Sequence, residues 1–169
     1  DFDKQLISSG RRSASWGWSS NGNALRPASG RGDDKEPNFN LEVPPNGYAW
    51  WYIDGVEPNT GQAVSIIAFI GSVFSPWYKW SGRKKPQNNV CLNIATYGKK
   101  GRFAMTDRGD SALIQEAHKL TIGPSSLTWD QTEKKLVIEI DEISSLPFIS
   151  KLKGTCLLYT SDAADDGVG

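Results

Sequence analysis

The segment YAWWYID, residues 48–54, sets Tyr48, Trp50, Trp51, Tyr52 and Asp54 within seven positions. Alternate residues of a strand share a face. Tyr48, Trp50, Tyr52 and Asp54 would then lie on one side, with Ala49, Trp51 and Ile53 on the other. Two readings stay open. Wide aromatic walls suit a long apolar or π-rich ligand, and ring faces stabilise a carbocation, with Asp54 as an acid at the end of the wall. Alternatively, Trp and Tyr fill a β core, and Asp54 accepts turn hydrogen bonds before Gly55. A second group, Trp77, Tyr78 and Trp80 in SPWYKW, follows the most apolar stretch, Ala63 to Phe74, where a strand end would meet a barrel mouth.

Other chemistry finds little support. The sequence contains no GxSxG, no HExxH, no P-loop and no GxGxxG opening a helix. The single histidine, His118, reads as structural, so neither a Ser-His-Asp mechanism nor a histidine-built metal site is expected. Cys91 and Cys156 set no disulfide framework. The carboxylates of DEI, residues 141–143, read as the outer face of an amphipathic strand. No cofactor and no metal is expected.

The elements that must position these residues are short strands. The 169 residues include 17 glycines, 9 prolines and 7 tryptophans, a texture of apolar runs cut by turns. Expected strands are Tyr48–Asp54, Ala63–Ile70, Val90–Tyr97, Arg102–Thr106, Lys119–Ile122, Ser126–Trp129, Lys135–Ile143 and Ile149–Lys153. Leu136, Ile138 and Ile140 alternate with Glu139 and Asp141, a clean period of two. Asp110 to Lys119 could hold a helical turn. With no crossover helix for a parallel sheet, the expectation is an all-β, antiparallel, lipocalin-like barrel or sandwich. Around Trp50–Trp51 and along Ala63–Ile70 both strand faces are apolar, so both must be covered, and a further domain would supply the second cover. Residues 1–40 read as a flexible N-terminal segment, since 8–37 hold seven Ser and five Gly without periodicity; Trp16 and Trp18 read as a local cluster, and the RGD at 31–33 as chance. Equal counts of 19 basic and 19 acidic residues argue against a nucleic-acid binder. The apolar stretch 63–74 is too short for a spanning helix, and no signal peptide is visible, so a cytoplasmic protein is expected.

Five pieces, VPPNGYAWWYIDG, IAFIGSVFSPWYKWSGRKKPQNNVCLNIATYG, GRFAMTDRG, LTIGPSSLTWD and IEIDEI, resemble the carotenoid 1,2-hydratases, also called hydroxyneurosporene synthases. The resemblance covers Val43 to Thr155. It implies two lipocalin-like β domains, of which this chain resembles the first, truncated. It also implies hydration of the terminal C1–C2 double bond of an acyclic carotenoid of the neurosporene or lycopene type, without a redox cofactor. Protonating an alkene needs a carboxylic acid kept protonated by apolar burial, then one positioned water. The family's catalytic residues lie beyond the matched part, so none is carried over and Asp54 is a weak candidate. Tyr48, Trp50, Trp51, Tyr52, Trp77, Tyr78 and Trp80 are the expected substrate-binding residues. The partners implied are the carotenoid, a C-terminal β domain missing here, and, because a carotenoid is a membrane solute, a peripheral contact with the inner membrane. A non-catalytic lipocalin-like binder, or an enzyme acting on another polyene, is the alternative.

The last segment, CLLYTSDAADDGVG, resembles something else. Residues 156–166 match the translation of an adapter used in transposase-based sequencing libraries, so 41–155 is expected to be the β domain and 156–169 an artefactual tail. Without the tail, 19 basic residues face 16 acidic ones, since it carries Asp162, Asp165 and Asp166 and no base.

Overall fold

The computed structural model describes residues 13–20, 28–31, 36–56, 60–99, 101–144 and 150–159. Among the described residues, eleven antiparallel strands form two sheets. The first has the order β2-β1-β3-β4-β5-β6, with β1 Ser13–Ser20, β2 Ala28–Arg31, β3 Ala49–Val56, β4 Ala63–Ile70, β5 Val90–Tyr97 and β6 Arg102–Arg108. The second has the order β11-β10-β9-β8-β7, with β7 Leu113–Glu116, β8 Lys119–Ile122, β9 Ser125–Asp130, β10 Lys135–Ser144 and β11 Ser150–Tyr159. No ladder joins the sheets among the described residues, so the architecture is a sandwich and not a closed barrel.

Period-two alternation builds the core. Trp51 and Ile53 of β3, Ile66 and Ile70 of β4 and Leu92 and Ile94 of β5 turn inward, and meet Leu120, Ile122, Leu127, Leu136 and Ile138 of the second sheet. Phe39 and Val43 close one end from the segment that leads into β3. That segment is pinned by polar contacts: the Trp51 indole N–H donates to the Asn38 carbonyl at 2.9 Å, and the Gln115 side-chain amide donates to the Phe39 carbonyl at 2.9 Å.

Several expectations are corrected. The N-terminal segment reads as flexible; in the structure residues 13–20 of it form β1 and pair with β3, Ser13 opposite Val56 through Ser20 opposite Ala49. Backbone pairing along the free edge of β3 supplies what Ser and Gly side chains do not. Trp16 and Trp18 fall in β1 as Cα partners of Ile53 and Trp51. Residues 32 and 33 of the RGD lie outside the described residues. The expected helical turn shrinks to a 3-10 turn at Asp110–Ala112, after which the chain extends as β7. Trp77, Tyr78 and Trp80 lie on a short helix, α1 (Pro76–Trp80), which Ser75 caps by accepting the Tyr78 N–H and which Pro76 opens.

Glu142 is the sharpest correction. It does not face outward with Asp141 but is fully buried on the apolar side of β10. The Arg108 guanidinium donates to its Oε2 at 2.7 Å, Thr106 Oγ1 to the same oxygen at 2.8 Å, and Ser125 Oγ to Oε1 at 2.7 Å. A buried carboxylate persists only when paired and hydrogen-bonded, and here β6 and β9 supply the partners. Gly123 makes room for them: with φ of +59°, it leaves a gap that a Cβ would close to 2.4 Å from Arg108 Nε.

Strand β11 runs past Thr155. Cys156 and Leu158 point into the core at 1% and 0% exposure, and a Cβ added to Gly55 on β3 would stand 3.2 Å from Leu158 Cδ2. The boundary expected at residue 155 is therefore not an element boundary; residues 160–169 lie outside the described residues. Leu158→Ala should lower stability by about 2–5 kcal/mol, the cost of deleting a buried leucine side chain. Urea unfolding measures it, and an unchanged midpoint would show that β11 does not belong to the core.

Candidate functional site

The outer face of the first sheet holds the residues that do not enter the core. Cross-strand register arranges them in rows. One row runs Trp50, Phe69, Cys91, Asp107; the next Tyr52, Ile67, Asn93, Met105; the third Asp54, Ser65, Ala95, Phe103. Rows on one strand face repeat every ~6.8 Å, so three rows give a wall roughly 14 Å from first to last.

The aromatic side chains on this wall touch one another. The Trp50 and Tyr52 ring centroids are 5.4 Å apart, Trp50 stacks on Phe69 at 6.4 Å, and Phe74 meets Phe69 edge-on at 5.4 Å. Trp50, Tyr52 and Ile67 are only half-buried. Beside them lies a depression of about 480 Å³ lined by Ser65, Ile67, Asn93, Ala95, Tyr97 and Phe103 with the rim residues Thr96, Gly101 and Arg102. Beyond the Trp50 end, a second depression of about 260 Å³ is bordered by Tyr48, Phe74, Tyr78 and Arg83, among others.

The expected binding residues divide into three groups. Trp50 and Tyr52 lie on the outer wall and Tyr48 borders its end. Trp51 is a core residue, 1% exposed, with its indole N–H already bonded. Tyr78 is also buried, donating its hydroxyl to the Gly47 carbonyl at 2.6 Å; burial raises its pKa and the nearby Arg83 charge partly opposes that. Trp77 and Trp80 are exposed and pack against each other edge-to-face at 5.1 Å. The single aromatic wall expected from sequence is thus split, because a helix replaces the strand end that would have aligned SPWYKW with β3.

Asp54 ends the wall but is solvent-exposed and accepts the Ser65 hydroxyl at 2.6 Å. The apolar enclosure that proton donation to an alkene requires is absent around it. Glu142 is enclosed, but both its oxygens are engaged and it faces the space between the sheets. His118 sits in the β7–β8 turn, its carbonyl accepting the Trp129 N–H at 2.8 Å.

Sequence reasoning missed Cys91 and Phe69. Cys91 sits on the outer face yet is fully buried, because the chain after β4 folds over it. Burial pushes its thiol from 9.0 up to about 12, helped by the Asp107 charge and a hydrogen bond with Asp107; hydrogen bonds from Ser72 and the Thr106 backbone oppose the shift. The signal was the register itself: Cys91 lies one strand beyond Phe69 in the Trp50 row.

Relatives identify the chain. The family described as carotenoid hydratase CrtC matches residues 66–167, which is more than half of the sequence. The chain belongs to the carotenoid hydratase CrtC family. The matched range includes the described end of β11. The acyclic carotenoid 1,2-hydratase of Cereibacter sphaeroides is 56% identical over 100 residues, covering 59% of this chain and 35% of that protein. The protein of the same name from Rhodobacter capsulatus is 59% identical over 93 residues, covering 55% of this chain and 32% of its own. That from Thiocapsa roseopersicina is 46% identical over 122 residues, covering 70% and 29%. The chain spans about a third of the length of the curated relatives it matches. No solved structure matches.

The Cys91 environment predicts two outcomes. Near neutral pH the native thiol should resist a disulfide reagent that labels it at once in the unfolded chain. Because the folded state holds a proton that the unfolded chain loses, stability should fall as pH rises from 9.0 toward about 12. Cys91→Ala should flatten that alkaline slope; rapid native labelling, or a slope untouched by the substitution, would show that the thiol is not sheltered.

Proposed function

We propose that this chain is part of an acyclic carotenoid hydratase and that the outer face of its six-stranded sheet forms one wall of the polyene site. The observation that carries the reading is the half-open aromatic row Trp50–Phe69 with Tyr52, adjoining an apolar depression, in a chain of this family. The inner face is filled by its own core, so only the outer face can take a long apolar ligand. Polyene faces stack on aromatic rings, and an indole beside the reacting carbon stabilises positive charge.

The reaction is a net addition of water. An acid transfers a proton to one alkene carbon, the π pair forms that C–H bond, and a tertiary cation remains. Water adds its oxygen lone pair to the cation, and the oxonium loses a proton to a base. Electrons and atoms balance without a redox cofactor. Among the described residues the outer wall contributes binding surface and cation stabilisation but no enclosed acid. The remaining two thirds of the length of the matched hydratases is the proposed source of the acid and of the opposite wall. That makes a second β domain the partner of this face.

A binder without catalysis is the competing reading, favoured by the exposure of Asp54. The two are separated by assay. The chain alone should quench its tryptophan emission on adding lycopene in detergent, and Trp50→Ala with Tyr52→Ala should weaken binding about tenfold, in line with loss of one or two stacking contacts. It should form no hydroxylated carotenoid. Product formed by the chain alone would show that the acid lies within it and would overturn the division of labour. Asp54→Asn in a full-length relative should leave most activity; an intact fold with activity abolished would instead make Asp54 the acid.

A further inference from the structure

The segment from Gly71 to Asn89 carries Lys79, Arg83, Lys84 and Lys85 and not one acidic residue. It links β4 to β5 and contains α1. Its large apolar side chains point outward: Val73 is 58% exposed, Phe74 57%, Trp77 63% and Trp80 70%. The four basic side chains are exposed as well, and among the described residues none of them forms an ion pair. Elsewhere, exposed apolar side chains such as Phe103 and Ile114 stand on strands in different sheets; here four share one short connection.

The outward display is enforced by the fold. Tyr78 turns inward and donates to the Gly47 carbonyl at 2.6 Å, Gly71 N–H donates to Pro86 O at 3.0 Å, and Asn46 N–H donates to Arg83 O at 2.8 Å. Gly71, at φ +69°, approaches Gly47 so closely that a Cβ would stand 2.5 Å from the Gly47 carbonyl oxygen. With Tyr78 locked in, Trp77 and Trp80 are left facing solvent, flanked by the cations. The connection is thus a rigid projection and not a collapsed loop.

We propose that this projection is a docking surface for an anionic lipid bilayer. Indole rings settle at the headgroup level, where their apolar body and N–H are both satisfied, and clustered lysines and arginines are drawn to anionic headgroups. A run with four basic and no acidic residues complements a negative surface along its whole length, while the exposed Val73, Phe74, Trp77 and Trp80 supply the insertion that charge alone does not. No helix among the described residues is long and apolar enough to cross a membrane, so contact through this projection is interfacial. Phe74 touches Phe69, which stacks on Trp50, so the docked surface is continuous with the outer aromatic wall. The docking does not depend on the polyene reading, and it holds whether or not that wall binds a carotenoid.

Co-sedimentation of the 169-residue chain tests it, using vesicles of phosphatidylcholine alone and of phosphatidylcholine mixed equally with phosphatidylglycerol. Binding should be about tenfold stronger to the anionic vesicles and should fall as salt is raised. Trp77→Ala with Trp80→Ala, and separately Lys79→Gln, Arg83→Gln, Lys84→Gln and Lys85→Gln together, should each reduce it about tenfold, while Ile114→Ser and Ile143→Ser, exposed on the second sheet, should not. Circular dichroism confirms that the variants fold. A second readout needs no alanine: brominated lipid should quench emission from the unaltered chain more than from Trp77→Phe with Trp80→Phe. Absence of vesicle binding, binding equal in all variants, or a dimer that dissociates in the Trp77→Ala, Trp80→Ala variant without vesicle binding would overturn the proposal; the last would mark the projection as a contact between copies.

Discussion

Trp50 and Trp51 are consecutive, and a strand can send only one of two neighbours to each side. The sandwich resolves this by sending Trp51 into the space between the sheets, where it meets Phe39 at 5.9 Å and bonds to Asn38. Trp50 is thereby committed to the outer face. The same alternation carries Phe69 and Ile67 out with it on β4, so one register choice produces both a packed core and an apolar exterior. A one-residue slip of β3 would exchange the two sets, which ties the stability of the core to the composition of the proposed binding wall.

That coupling separates structural polar groups from chemical ones. Glu142 is buried and Arg108 half-buried where β6 and β10 pack their inner faces together, and the surrounding Ser125 and Thr106 complete the carboxylate's bonds. The pair fixes how the two sheets meet; it does not open onto the aromatic wall. Asp54, which does stand on the wall, is held by Ser65 and remains wet. Cation stabilisation and proton donation therefore make opposite demands, open ring faces and an enclosed acid, and only the first is visible among the described residues.

Much of this was legible in the sequence. The bounds of β4, β5 and β8 fall where apolar alternation puts them, and the assignment of Trp50 and Trp51 to opposite faces follows from a period of two. Other features were missed for identifiable reasons. In β1, Ala14, Trp16 and Trp18 alternate, but surrounding Ser and Gly mask the period. Strand β7 is four residues long, too short to outweigh the helical look of DSALIQEAHK. Helix α1 announces itself by Ser75 followed by Pro76, an N-cap and a first-turn proline, inside a stretch whose aromatic content reads as strand. Glu142 sits in phase with Leu136, Ile138 and Ile140, yet its charge suggests the opposite face; only the tertiary position of Arg108 makes its burial tolerable.

In the proposed site, ligand meets the outer face and never the space between the sheets. Photocross-linking with a diazirine-bearing polyene, followed by mass-spectrometric mapping, measures this directly. Adducts should cluster on Trp50, Tyr52, Ile67 and Asn93 of the outer wall. Adducts on Trp51, Ile53 or Ile66 would place the ligand inside the sandwich and rule out the outer wall as the site.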